Sequence, residues 1–214
     1  MTLQEIANCI EFPDLREYTT KALDSLSPEF WTAPSSSTGK YHPKHESGEG
    51  GLVRHTILCT ACAMDALRRY EPTKREHPDE MPAAKAMRSV QWATMRDIVR
   101  CAGLLHDGWK NGIPWGNYTK KEHPAIGQQQ MLKLAEDFGA AVGKMIETAA
   151  YAVAFHYGVW TTPCPVVPLD FVDFDTQAEE AVAALCLQEG DYYASRRWQG
   201  TPDWEAVHAS ICGN

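Results

Sequence analysis

The tripeptide Leu105-His106-Asp107 sets an imidazole and a carboxylate side by side at the end of an apolar run. That run, Ile98 to Leu105, reads as a buried helix, and Gly108 follows the pair directly. A helix ending this way delivers two metal-ligand groups from the core to a cleft. His55 upstream and Asp191 downstream add the same two ligand types. Histidine mixed with carboxylate is the ligand set of a metal-dependent hydrolase. His123 and His156 extend the candidate set to His55, His106, Asp107, His123, His156 and Asp191.

The elements that must hold these groups are helical. Apolar spacing of three and four predicts helices over 2–11 and 14–26, with Pro13 and Asp14 between them as stop and start. Residues 31–51 are rich in Ser, Gly and Pro and read as a long irregular segment. Leu52 to Tyr70 is helical and carries His55, Cys59, Cys62 and Ala66 along one side. A charged connection over 71–84 precedes a helix from Ser89 to His106. Further helices are expected over Pro124–Phe138, Ala140–His156 and Thr176–Arg196, and a short one from near Pro202. Gly158 to Asp173 reads as loop. No run of alternating strands occurs, so the expected class is all-α. Each ligand candidate then lies on a helix or at its end, which is how a helical bundle builds a metal site in its core.

Five segments, in order, resemble the HD-domain superfamily of metal-dependent phosphohydrolases. Gly50-Gly51-Leu52-Val53-Arg54-His55-Thr56 is similar to its first motif, glycines followed by a helical histidine. Leu104-Leu105-His106-Asp107-Gly108-Trp109-Lys110 resembles the central motif, although a small apolar residue and then glycine usually precede the lysine. Glu122-His123-Pro124-Ala125-Ile126-Gly127 looks like the His-Pro-x-x-Gly element of the two-metal branches, and Phe155-His156 falls where those branches place another histidine. Gly190 to Arg196 resembles the closing motif with its aspartate. The resemblance spans roughly Gly50 to Arg197. It implies a single HD-type helical domain over 1–214: N-terminal helices and loop in 1–50, the core in 51–197, and a C-terminal helix in 198–214.

The activity implied is hydrolysis of a small phosphate ester, a nucleotide or related metabolite, by a metal-bound hydroxide. His55, His106, Asp107 and Asp191 would hold one divalent ion. His123 and His156 would hold a second, with Asp107 bridging. One or two ions of Fe, Mn, Co, Ni, Zn or Mg fit this mixed nitrogen and oxygen set. Monoesterase, diesterase and triphosphohydrolase chemistry all remain open. Some proteins of this fold are di-iron oxygenases, and a nucleotide sensor without turnover is the other alternative.

The expected catalytic residues are Asp107, Lys110 and His42. Lys110 sits beside the metal pair and is the foremost phosphate partner. His42 or His45, in the same loop, is expected to protonate a leaving group, given an imidazole pKa near neutrality. Arg54, Lys40, Ser36, Ser37 and Trp109 complete the expected substrate contacts. The Ser35–Lys40 stretch reads equally as a phosphate cradle or as plain surface loop; it lacks the first glycine of a Walker A loop. Cys59 and Cys62 read as small buried apolar residues.

Composition excludes other classes. The formal charge is −8 with no basic stripe, which argues against tracking a long nucleic acid. No apolar stretch reaches the roughly 20 residues needed to span a bilayer, and the start lacks a signal-peptide pattern. Seven cysteines, an odd number, predict reduced thiols in a cytoplasm rather than a disulfide framework.

Overall fold

The computed structural model describes residues 1–38, 42–71, 90–158, 174–196 and 200–213, the first four of the fourth segment by backbone alone. Within them eight α-helices and two 3-10 turns form the regular structure, with no strand, so the described residues are all-α.

Thr2 starts the first helix, α1 (Leu3–Ala7), through a capping box. Its hydroxyl accepts from the Glu5 N–H, and the Glu5 carboxylate accepts from the Thr2 N–H. The helix is shorter than the apolar spacing predicts. Glu11 and Phe12 turn their N–H groups out of helical register and donate to the buried Asp97 carboxylate at 3.0 and 2.9 Å. Pro13 then occupies the first turn of α2 (Pro13–Asp24), where its missing N–H costs nothing.

Two 3-10 turns, Pro28–Trp31 and Lys44–Glu46, lead into α3 (Gly51–Tyr70). The remaining helices are α4 (Trp92–Leu105), α5 (His123–Ala135), α6 (Ala140–Phe155), α7 (Phe174–Ala194) and α8 (Trp204–Cys212). The center of the arrangement is α3, which packs along α7 and also against α4 and α8. From the other side α6 packs on α4, α5 and α7. The five helices that bear the ligand candidates therefore form one connected group, with α5 joined to it through α6. Their core is lined by Leu52, Cys59, Ala63, Val99, Leu105, Met131, Ile146, Val153 and Val182.

A buried ion pair ties both chain ends to α4. Asp97 and Arg100 are 3 % and 1 % exposed and meet at 3.0 Å. Besides holding the Glu11 and Phe12 amides through Asp97, the pair reaches the C-terminal helix: Arg100 Nε donates to the Ile211 carbonyl at 2.9 Å. Cys9 and Cys212, 203 positions apart, form a disulfide at the same junction. This corrects the expectation of reduced thiols throughout, since α8 returns to the end of α1 and brings the two sulfurs together. Cys59, Cys62, Cys101 and Cys186 are free thiols. Among the described residues no helix is long and apolar enough to cross a membrane. Residues 72–84 of the expected connection, 159–173 of the expected loop, and Ser89, the expected start of the next helix, lie outside the described residues.

Candidate metal centre

His55 points into the bundle from the second turn of α3 and is fully buried. Its Nε2 lies 3.1 Å from Asp191 Oδ1, 3.4 Å from His106 Nε2 and 3.7 Å from Asp107 Oδ2. His106 caps the C-terminus of α4, and its Nε2 is 3.6 Å from the same Asp107 oxygen. Asp191 reaches His55 because α7 approaches α3 closely at Gly190. A Cβ there would stand 2.6 Å from the Cys59 carbonyl oxygen, so only glycine fits.

A second set forms on the other carboxylate oxygen. Asp107 Oδ1 is 3.2 Å from His123 Nε2 and 3.7 Å from His156 Nε2, and these two nitrogens are 3.2 Å apart. His123 begins α5 and His156 ends α6; both are buried. Asp107 thus faces two groups of ligand atoms, one with each oxygen. The six ligand candidates named from the sequence converge on these two sets.

The ring tautomers decide what the sets can do. His106, His123 and His156 each place Nδ1 on a backbone carbonyl: Gly103 at 2.8 Å, Lys120 at 2.7 Å and Val153 at 2.6 Å. A carbonyl only accepts, so each Nδ1 carries a proton and each Nε2 is the nitrogen turned inward as a candidate ligand. Burial drives the His106 pKa down to about 3 against the pull of Asp107, and it lowers His123 as well. Two lone pairs 3.2 Å apart repel unless a proton or a cation lies between them. Buried, convergent Nε2 and carboxylate oxygens fit a divalent ion at each set.

Charge balance supports this. Burial opposes ionization of Asp107, but Lys110 and His106 outweigh it and hold its pKa well below the usual range. Burial likewise opposes a charged Asp191, and the His55 bond and charge overcome it. Lys110 Nζ lies 2.5 Å from Asp107 Oδ2, and that carboxylate raises its pKa despite burial.

Glu46 is a site residue that the sequence did not reveal. It is wholly buried, and its Oε2 accepts from His55 Nδ1 at 3.1 Å and from His42 Nδ1 at 2.7 Å. Burial works against its charge, yet His55 and His42 hold its pKa down to about 2. Burial also opposes charge on His55, but Glu46 and Asp191 prevail and raise it to about 10. The backbone explains the placement. Gly50 adopts φ +68° before α3, and a Cβ on Gly51 would lie 1.8 Å from the Glu46 carbonyl oxygen. The Gly-Gly pair lets the 3-10 turn press against the start of α3. Nothing in the local pattern marks Glu46, because its partner is reached only when that turn folds back. Tyr157 was also missed; its ring meets His123 edge-on at 5.2 Å.

The expected substrate contacts fare differently. Arg54 does not face the ligands: its guanidinium donates to the carbonyls of His45 at 2.6 Å, Ser47 at 3.3 Å and Glu49 at 2.9 Å. It therefore fastens the turn bearing Glu46 rather than offering a free cation. Trp109 is 7 % exposed and packs in the core beside Gly127, so it is no open pocket wall. Ser36 bonds Thr38 at the surface, and Ser37 is exposed. Ser35, their buried neighbor, donates to the Glu46 carbonyl at 2.9 Å. Lys40 lies outside the described residues. His42 stacks edge-on to His55 at 4.7 Å, and burial depresses its pKa. Its Nδ1–H is committed to Glu46, so Nε2 is an acceptor. That disfavors the expected role as proton donor and suits a base.

Comparison with protein-family models, with characterized proteins and with solved structures finds no match for this chain.

Proposed function

We propose that the chain is a metal-dependent phosphohydrolase of the HD type acting on a small phosphate ester, a nucleotide or related metabolite. One observation carries the reading: Asp107 turns one oxygen to His55 and His106 and the other to His123 and His156, with the Lys110 ammonium 2.5 Å from Oδ2. Divalent ions held there supply Lewis acidity to water and to a phosphoryl oxygen. The chain's own groups supply the rest. The carbonyl bonds of His106, His123 and His156 fix a proton on each Nδ1 and leave each Nε2 directed inward. Lys110, paired with Asp107 and not fastened to backbone carbonyls as Arg54 is, would place a positive charge beside an approaching phosphate oxygen. His42, with Nε2 as acceptor, is suited to take a proton from attacking water.

The completeness of both ligand sets favors a second reading, a di-iron oxygenase, which needs all six ligands. A phosphate-release screen with Mn²⁺ separates the two. It would cover nucleoside mono-, di- and triphosphates, cyclic nucleotides and a generic diester, with Asp107→Ala as control. Turnover that disappears in the variant supports hydrolysis. Iron in both sets with O₂ consumption and no phosphate release overturns it.

A further inference from the structure

Cys9, at the end of α1, and His208 and Cys212, on α8, gather their ligand-type atoms within 4.8 Å of one another. These elements bear none of the six inner ligands. His208 and Cys212 are four positions apart and so share a face of α8. His208 is exposed, and both sulfurs are half-buried, so an ion and a fourth ligand from solvent can reach them. Two thiolates and an imidazole form a soft, tetrahedral donor set that selects zinc over Mg²⁺ or Mn²⁺. Around zinc such atoms lie about 3.6–3.8 Å apart, given bond lengths of roughly 2.3 Å to sulfur and 2.0–2.1 Å to nitrogen. To reach that spacing the two sulfurs must separate on reduction and the imidazole must draw in.

We propose that Cys9, His208 and Cys212 form a zinc site that exchanges with the Cys9–Cys212 disulfide. A dithiol reductant passes two electrons and two protons to the disulfide and is itself oxidized to a disulfide, leaving two thiols. Zn²⁺ then displaces both thiol protons to solvent and binds the two thiolates and His208. The chain ends are clamped in both forms, by S–S in one and by the ion in the other. Loss of both links leaves the ends to the Asp97–Arg100 pair, the Ser210 bonds to α3 and core packing.

Cobalt titration tests this. The full chain is reduced with a trialkylphosphine, which takes oxygen from water as it becomes the phosphine oxide and does not retain the metal. It is then desalted without air and titrated with Co²⁺. The inner center has only nitrogen and oxygen ligands, so a thiolate-to-cobalt charge-transfer band reports Cys ligation alone. The expected result is such a band in reduced wild type, none in the oxidized protein, and its removal by added Zn²⁺. Cys212→Ser should lose the band. His208→Ala, an exposed change that leaves the disulfide able to form, should keep its melting behavior when oxidized and bind cobalt more weakly when reduced. Absence of the band in reduced wild type, its persistence in Cys212→Ser, or unchanged affinity in His208→Ala overturns the proposal.

Discussion

Glu46 Oε2 lies 3.1 Å from His55 Nδ1, on the side of the ring opposite the ligand set, although the two residues are nine positions apart. A carboxylate behind a ligand imidazole fixes its orientation and raises its basicity. Losing such a partner typically weakens metal binding by about 10–100-fold. Glu46→Gln keeps the shape and removes the charge, so it should fall in that range. Glu46→Ala should lose more. Competition with a chelating dye measures both; an unchanged affinity in Glu46→Gln would show that the charge plays no part.

Metal binding should release a proton from His55. In the metal-free chain its pKa is raised from the ordinary 6.5 to about 10 by Glu46 and Asp191 against the effect of burial. The ring is therefore doubly protonated at neutral pH, and an ion at Nε2 must displace that proton. The raised value also means that the stability the charged ring contributes is complete below 6.5 and lost as pH rises through about 10. Affinity at the His55 set should accordingly increase with pH toward 10. Calorimetry in buffers of differing ionization enthalpy counts the released proton. His106, held down to about 3, should contribute none at neutral pH.

Arg54→Ala should act through the loop and not through substrate. Its guanidinium makes bonds to three carbonyls flanking Glu46, and a bond involving a charged group contributes about 1.5–3 kcal/mol. The variant should melt lower and bind metal more weakly. At saturating metal its KM for a phosphate ester should match wild type. A raised KM at full occupancy would return Arg54 to the substrate.

Removing one member of the Asp97–Arg100 pair should be severe. Arg100→Ala leaves the Asp97 carboxylate buried, and breaking such a pair costs roughly 3–5 kcal/mol. Chemical denaturation measures the loss, and hydrogen exchange should place the loosening at residues near Glu11 and Ile211.

The six ligand candidates were legible because each is a chemically distinctive residue at a helix position. Once α3 to α7 pack, those positions meet. Glu46 was not legible, since its placement depends on the close contact of its carbonyl with Gly51. Trp109 was misjudged because adjacency to Asp107 and Lys110 does not give side-chain direction, and its ring turned to the core. Arg54 was expected at the substrate, but its carbonyl partners come from a turn with no sequence signature. The disulfide joins residues 203 apart, and an odd cysteine count concealed it.

The most direct measurement is metal content of the oxidized protein, in wild type, His156→Ala and Asp107→Ala, with circular dichroism to check folding. Because Asp107 faces both sets, wild type should hold an ion at each and folded Asp107→Ala should lose both. His156→Ala should lose only the set it belongs to. Folded Asp107→Ala that retains the wild-type metal content would contradict the bridging center, and with it the phosphohydrolase reading.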